Sequence, residues 1–544
     1  MKQLFIFLLL LFFAIESDAQ TFSKQDSLRG TITPGRIWWD LIYYDLDVKV
    51  NIENKTVGGS NLIRYKVLNE NNIMQIDLQP PMNISKVMQE NQVLTFQRDG
   101  NAYFITLKKK QIQNEINEIK IFYNGKPRSA PRPPWDSGLV WEKDSLGNPF
   151  VSSISWGTGS SLWWPCKDHM YDEVDSMKIS INVRKDLVAV ANGRLAGIEI
   201  LKDATKTFHW FVKNPINNYG VNFNIGNYVN FSEIYKGLKG DLDCDYYVLK
   251  QNYQKAKEHF KQVPKMLKAF EYWFGPYPFY EDSYKLIEVP YLGMEHQSAT
   301  AYGNHYQNGR LGKDDSQTGW GKTFDYLIIH ESGHEWFACN ITFKDIADIW
   351  IHESFTTYSE GLFVEYFNGK KAGEDYLLGI RKGIKNEKPM IGKYGVNDVN
   401  YTGDNYPKGA TVLHMLRQII NNDEKWRQIL IGLNKEFYHQ TVTTNQVENY
   451  ISQQSGLDLN SFWEQYLRTT QIPVFEYYFS YKKLTYRWTN CIALFNMPLK
   501  VMLNGVEKWL YPKSQWQEEL QEMDKSELKV DRNFYVPVFY SNEK

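Results

Sequence analysis

The chain has 544 residues, too long for one hydrophobic core and enough for three or four domains. Its 42% hydrophobic, 15% aromatic and 23% charged residues exclude a disordered or fibrous protein. A net charge of −1, with no like-charge block longer than Lys108-Lys109-Lys110, excludes recruitment by nucleic acid or an anionic membrane.

At the amino terminus Lys2 precedes an apolar run, LFIFLLLLFFAI, and Ser17-Asp18-Ala19 supplies the small residues of a cleavage site. Residues 1–19 therefore read as a signal peptide, cut near Ala19, of a protein exported to the periplasm or the exterior. The run falls short of the ~20 residues that span a bilayer, so no stable membrane anchor is expected. Four cysteines, Cys166, Cys244, Cys339 and Cys491, are too few and too scattered for a disulfide framework.

From Tyr44 the residues alternate, with Tyr44, Leu46, Val48 and Val50 on one face and Asp45, Asp47, Lys49 and Asn51 on the other. The same period returns at Met177, Ile179, Ile181 and Val183. Residues 20–237 are thus expected to form an antiparallel β domain packed on one face. Within it GKPRSAPRPPW, residues 125–135, reads as a long ordered loop because proline cannot serve a central strand.

The character changes near residue 250, where NYQKAKEHFKQVPKMLKAFEYWFG carries apolar residues at helical spacing and stops at Gly275-Pro276. Helical patterns dominate residues 238–471, and strand patterns return over 472–544 in VFEYYFSY, LTYRW and PLKVMLNG.

The helical region holds IIHESGHEWF, residues 329–338, with His330, Glu331 and His334 in the arrangement H-E-x-x-H. With ten histidines in the chain, about 0.01 such matches are expected by chance. Four residues apart on a helix, the two imidazoles project from one face and can share an ion, while Glu331 sits beside that face, within reach of water. Catalytic zinc takes three protein ligands. Glu353, nineteen residues past His334 on a second helical pattern, is a candidate for the third, at a spacing that allows a turn and a second helix packed against the first.

H-E-x-x-H, eighteen residues and a glutamate resembles the zinc signature of the M1 family of metallo-aminopeptidases, the gluzincins related to aminopeptidase N and leukotriene A4 hydrolase. YLGMEHQ (291–297) is similar to the family's G-x-M-E-N exopeptidase motif, NYPKGATVLHML (405–416) to its catalytic tyrosine segment, and WWPCKD (163–168) to a marker of its amino-terminal domain. FGPYPF (274–279) fits as well, so the likeness extends over about residues 40–540. It implies a multidomain α+β protein with an N-terminal antiparallel β domain, a thermolysin-like, mainly helical catalytic domain and a small C-terminal β-sandwich.

The resemblance also assigns one zinc ion per chain to His330, His334 and Glu353, with Glu331 as general base and Tyr406 as a second catalytic residue. Glu295, with Met294 and Gly293, binds the substrate, a peptide with a free amino terminus. Glu360, two helical turns past Glu353, is either a support for a ligand histidine or part of a solvated face. His352 points away from the ligand face by about 100°.

The chain departs from the family pattern at Leu292 for the first motif glycine, at His296 for the motif asparagine and at His352 in W-I-H-E. Trp156 stands where many members carry a glutamine near the substrate amine. The helical repeat domain that roofs the site in long members has no counterpart, so a more open cleft is expected. Two other functions share these residues: a zinc hydrolase of a non-peptide substrate, and a non-catalytic peptide-binding protein of the same fold. The second is usually marked by a lost ligand or base, and here both are kept. The preferred amino-terminal residue and the oligomeric state have no signal in the sequence.

Overall fold

The computed structural model describes residues 21–520 and 527–541. The signal-peptide reading, residues 1–19, lies outside them.

A seven-residue helix, α1 (Lys24–Gly30), leads into an eight-stranded sheet centred on β1 (Trp39–Asn51), β2 (Thr56–Val67) and β3 (Ser176–Arg184). β1 pairs antiparallel with β2, Tyr44 facing Ile63, and parallel with β3, Tyr44 facing Met177. The sheet is therefore mixed. The alternation seen in sequence is what buries it: Tyr44, Leu46, Val48 and Val50 are at most 8% exposed, and Met177, Ile179, Ile181 and Val183 at most 1%. Residues 126–137 contain no strand beyond a single bridge and form a loop whose tip, Pro134 and Trp135, reaches the central cleft.

The hairpin β4 (Tyr228–Gly237) and β5 (Gly240–Leu249) opens a second, five-stranded sheet, continued by β6 (Tyr284–Glu288), β7 (Gly293–Met294) and β8 (Thr300–Tyr302) in the order β4-β5-β6-β8-β7. The boundary expected at 237 falls in the turn of this hairpin. β4 pairs along its whole length with β5, so it belongs to the sheet that carries the cleft.

The helical run predicted after residue 250 is broken by a tight turn at Phe260–Gln262. Its second half, α2 (Val263–Phe274), ends at Gly275, whose φ of 88° suits glycine. Further helices follow through Arg468, among them α3 (Tyr326–Gly333), α4 (Trp350–Asn368) and α5 (Pro407–Ile420). Beyond them lie two small sheets of four and three strands between Val474 and Tyr540.

Two apolar cores result. One lies under the amino-terminal sheets and includes Met294, Ala299 and Ala301; the other fills the helical region and includes Leu327, Ile329 and Phe355. β7 thus lies on the seam between the two cores, directly against α3. No disulfide forms among the four cysteines, and among the described residues no helix is long and apolar enough to cross a membrane.

Candidate metal and peptide site

Asp325 fixes where α3 begins. Its carboxylate caps the amides of Leu327 and Ile328 and accepts hydrogen bonds from the Tyr302 hydroxyl and the Asn304 amide, so the helix start is tied to the end of β8. His330 then falls in the last turn of α3 and His334 at its C-cap. Past His334 the chain leaves helical geometry at Phe337 and Ala338 and turns back, which brings the Phe337 carbonyl under the His334 ring.

α4 crosses close to α3 because Gly333 presents no side chain. A Cβ there would stand 2.8 Å from Ser359 Oγ. Glu353 lies in the first turn of α4, where the positive end of the helix dipole favours a carboxylate.

His330, His334 and Glu353 converge. Glu353 Oε2 is 3.7 Å from His330 Nε2 and 3.5 Å from His334 Nε2, with all three side chains at most 5% exposed. Donors each about 2.1 Å from a tetrahedral ion stand roughly 3.4 Å apart, so both distances from Glu353 Oε2 lie near the spacing a zinc ion imposes, and all three donors fall within 4.8 Å of one another. Glu353 Oε2 is also buried without a hydrogen-bond partner. Burial raises the Glu353 carboxyl, but the imidazoles of His334 and His330 more than offset it and hold the carboxyl below its ordinary range. A buried anionic oxygen facing two imidazole nitrogens fits a shared cation.

Each of the two histidines is held from behind. His330 Nδ1 bonds Glu360 Oε1 at 2.7 Å, and the Tyr376 hydroxyl donates to the other oxygen of Glu360. Of the two readings open for Glu360, the structure shows support for a ligand histidine. His334 Nδ1 lies 3.0 Å from both the Phe337 carbonyl and Thr356 Oγ1. Such partners fix the ring orientation and leave Nε2 for the metal. His352 is turned away: its Nε2 accepts the Phe343 amide at 2.9 Å and its ring stacks on Phe343.

Glu331 lies across the cavity from β7. Gly293 makes that approach possible, because a Cβ there would meet Leu327 Cδ1 at 2.4 Å and Glu331 Oε1 at 3.2 Å. Glu295, just past β7, groups with Glu331 and His334, one donor atom from each lying within 4.8 Å of the others. Burial, then the charges of Glu331 and Glu353, push the Glu295 carboxyl well up, and its Oε1 has no partner. Burial likewise raises Glu331. Tyr406 stands at the N-cap position of α5, with its ring stacked 5.9 Å from that of His330 and its phenol close enough to Glu353 to help hold that carboxyl down. Burial lifts the Tyr406 phenol well above its ordinary range, so it remains a proton donor.

A cavity of about 830 Å³ joins these groups. Trp156, Met294, Val399 and Tyr401 line it along with Glu295, and Arg310, Asp315, Gln317 and Lys382 also face it. Burial, then the charges of Glu353 and Glu295, push the Tyr401 phenol up, while Arg310 lies over the Tyr326 ring and pairs with Asp315. Sequence reasoning missed Tyr376, Thr356, the Phe337 carbonyl and Tyr401. Thr356, three residues past Glu353 and so on nearly the same helix face, carried a usable signal; Tyr401 sits in a loop without periodicity.

Residues 258–466 match the model of the peptidase family M1 domain. The chain is 24% identical over 352 residues to Tricorn protease-interacting factor F2 of Thermoplasma volcanium, covering 62% of this chain and 43% of that protein. It is 23% identical over 376 residues to probable aminopeptidase 1 of Sulfurisphaera tokodaii, covering 64% and 45%. The matched region thus spans less than half of these relatives. Among solved structures, the M1 zinc metallopeptidase of Deinococcus radiodurans superposes with a TM-score of 0.64 at 20% identity, covering 77% of this chain and 91% of that one. A substituted form of it bound to a Tyr-Ser-Ala substrate gives a TM-score of 0.67 at 19% identity, covering 81% and 96%.

Proposed function

We propose that this chain, which carries a peptidase family M1 domain, is a zinc-dependent aminopeptidase that removes the amino-terminal residue of peptides. One observation carries the reading. Beside the three convergent metal donors stands a buried carboxylate, Glu295, with an unpartnered oxygen, in a cleft where Glu331 and Glu353 already crowd it with negative charge. Three clustered carboxylates call for more cationic charge than one divalent ion supplies, and the α-ammonium of a peptide provides it.

His330, His334 and Glu353 would hold the zinc. When bound, the ion supplies Lewis acidity toward water and the scissile carbonyl. Glu331, desolvated and raised toward neutrality, takes the proton of the attacking water and passes it to the leaving amine. The Tyr406 hydroxyl donates a hydrogen bond to the oxyanion that develops at the carbonyl. Glu295 pairs with the α-ammonium and sets the register, so that the first peptide bond lies at the reacting position. Met294 and Gly293 form the floor beside it.

Trp156 lines the wall of the same cavity, where a family glutamine would offer the amine a second polar contact. Glu295 is therefore the main polar anchor for that amine. By this account the substrate runs from its amino terminus, on the Trp156 and Tyr401 side, toward Arg310, Asp315 and Lys382.

The test is a panel of aminoacyl amides assayed with a chelator and after zinc is restored. The reading expects turnover that is lost with the metal and regained with zinc. Zinc-dependent turnover of added esters or epoxides without an α-amine, and none of the aminoacyl amides, would replace it with the non-peptide zinc hydrolase, and turnover indifferent to chelation would overturn the role of the metal. Full zinc binding without turnover of any substrate would replace it with the peptide-binding protein. The amino-terminal leader assigns the enzyme, in the same proposal, to an exported compartment.

A further inference from the structure

Helix α1 has no buried residue, so apolar packing does not explain its place. It is held by polar contacts to two separate regions. Toward the amino-terminal domain, Arg29 Nη1 donates to the Gly157 carbonyl at 2.5 Å and Arg29 Nε to Asp168 at 3.2 Å. Asp168 also accepts the Ser161 hydroxyl at 2.6 Å, and the Gln25 side chain receives the Asn101 amide. Toward the catalytic region, the Asp26 carbonyl accepts the Asn397 amide at 3.0 Å, and Thr31 Oγ1 donates to the Gly395 carbonyl at 2.9 Å. Gly30 lies so close to this loop that a Cβ would stand 2.2 Å from the carbonyl carbon of Val396.

The two regions meet at the same point. Asn397 Nδ2 also donates to the Gly157 carbonyl, at 3.3 Å. Gly157 directly follows Trp156, and the 393–397 loop runs into Val399 and Tyr401. Trp156 and Tyr401 pack with ring centroids 5.0 Å apart and line the cleft on the side of Glu295.

We propose that α1 is a clamp that fixes the Trp156–Tyr401 wall, with Arg29 as the positioning residue that holds the Gly157 carbonyl on which the Asn397 side chain also converges. The clamp sets how tightly the amino-terminal side chain of a peptide is held, and rests for this on the aminopeptidase reading. Neither Arg29 nor Asn397 lines the cleft, so their loss acts through the wall and leaves Glu331, Tyr406 and the zinc ligands in place.

The test compares R29A and N397A with the parent in two ways. Hydrogen exchange at the amides of Val396–Tyr401 reads the clamp without reference to activity; the clamp predicts roughly tenfold faster exchange there, with zinc content and exchange in α3 and α4 unchanged. Kinetics on phenylalanyl and alanyl anilides should show KM for the bulky substrate rising roughly three- to tenfold, the worth of one or two lost hydrogen bonds, with kcat nearly constant and the discrimination between the two substrates narrowed. R29K, which restores one donor, should recover part of that KM. Unchanged exchange over 396–401 in both variants would overturn the clamp, as would equal losses of kcat on both substrates together with zinc. If R29A does not fold, N397A decides by the same readouts. A parent without aminopeptidase activity would sink the functional reading, and the exchange arm would still decide the clamp.

Discussion

The two sides of the cleft are built on opposite principles. On the metal side both histidines are braced, His330 by Glu360 and Tyr376 and His334 by Thr356 and the Phe337 carbonyl, and the one unpartnered oxygen, Glu353 Oε2, faces their two imidazoles. On the amine side Glu295 Oε1 is buried without a partner in a wall that includes Trp156 and Tyr401. Buried polar atoms without partners are costly. The contrast teaches that the protein orients the metal side in advance and leaves only the oxygen a cation would take, whereas in the proposed reading the Glu295 carboxylate waits for the substrate amine.

The largest effect should come from breaking the metal side. His334→Ala leaves two donors where catalytic zinc needs three, so elemental analysis should find most of the zinc gone and turnover should fall to the uncatalysed level. Full zinc occupancy in that variant would refute the ligand set. Glu331→Gln sharpens the contrast, since it should keep the metal and lower kcat by roughly 10²- to 10⁴-fold, the usual contribution of a general base. Loss of zinc there would make Glu331 a ligand.

Tyr406→Phe removes a single donor to the developing oxyanion. It should retain zinc and KM and cost about 10²- to 10³-fold in kcat; an unchanged rate would reduce this tyrosine to packing against His330. The amine side should give the smallest loss, because a charge-assisted hydrogen bond is worth about 1.5–3 kcal/mol, or roughly 10- to 150-fold. Glu295→Ala should lower kcat/KM for free peptides by that factor and leave the much slower rate on acetylated ones nearly unchanged. General damage would depress both alike, so the ratio isolates the ammonium contact.

Much of this was legible in sequence where local periodicity and chemistry coincide. The alternation at Tyr44–Val50 is the burial pattern of β1, and the spacing of His330, Glu331, His334 and Glu353 brought four residues of two helices into one cavity. The boundary expected at 237 cuts the β4–β5 hairpin, because the helical spacing that marks the second region begins only near residue 250 and strand pairing across a turn leaves no mark on either strand alone. Glu360 was ambiguous for a related reason: a helix face is legible, but which neighbour covers it depends on the crossing of α3 and α4 that Gly333 permits. The wall formed by Trp156 and Tyr401 joins two loops some 245 residues apart and had no local signal.

The central claim is that a free α-amine completes the site. The most direct measurement compares the unmodified protein, loaded with zinc, on a good peptide substrate and on the same peptide acetylated at its amino terminus. The account predicts that acetylation nearly abolishes turnover while the zinc stays bound. Equal cleavage of the two peptides would contradict it, even with every metal ligand in its assigned place.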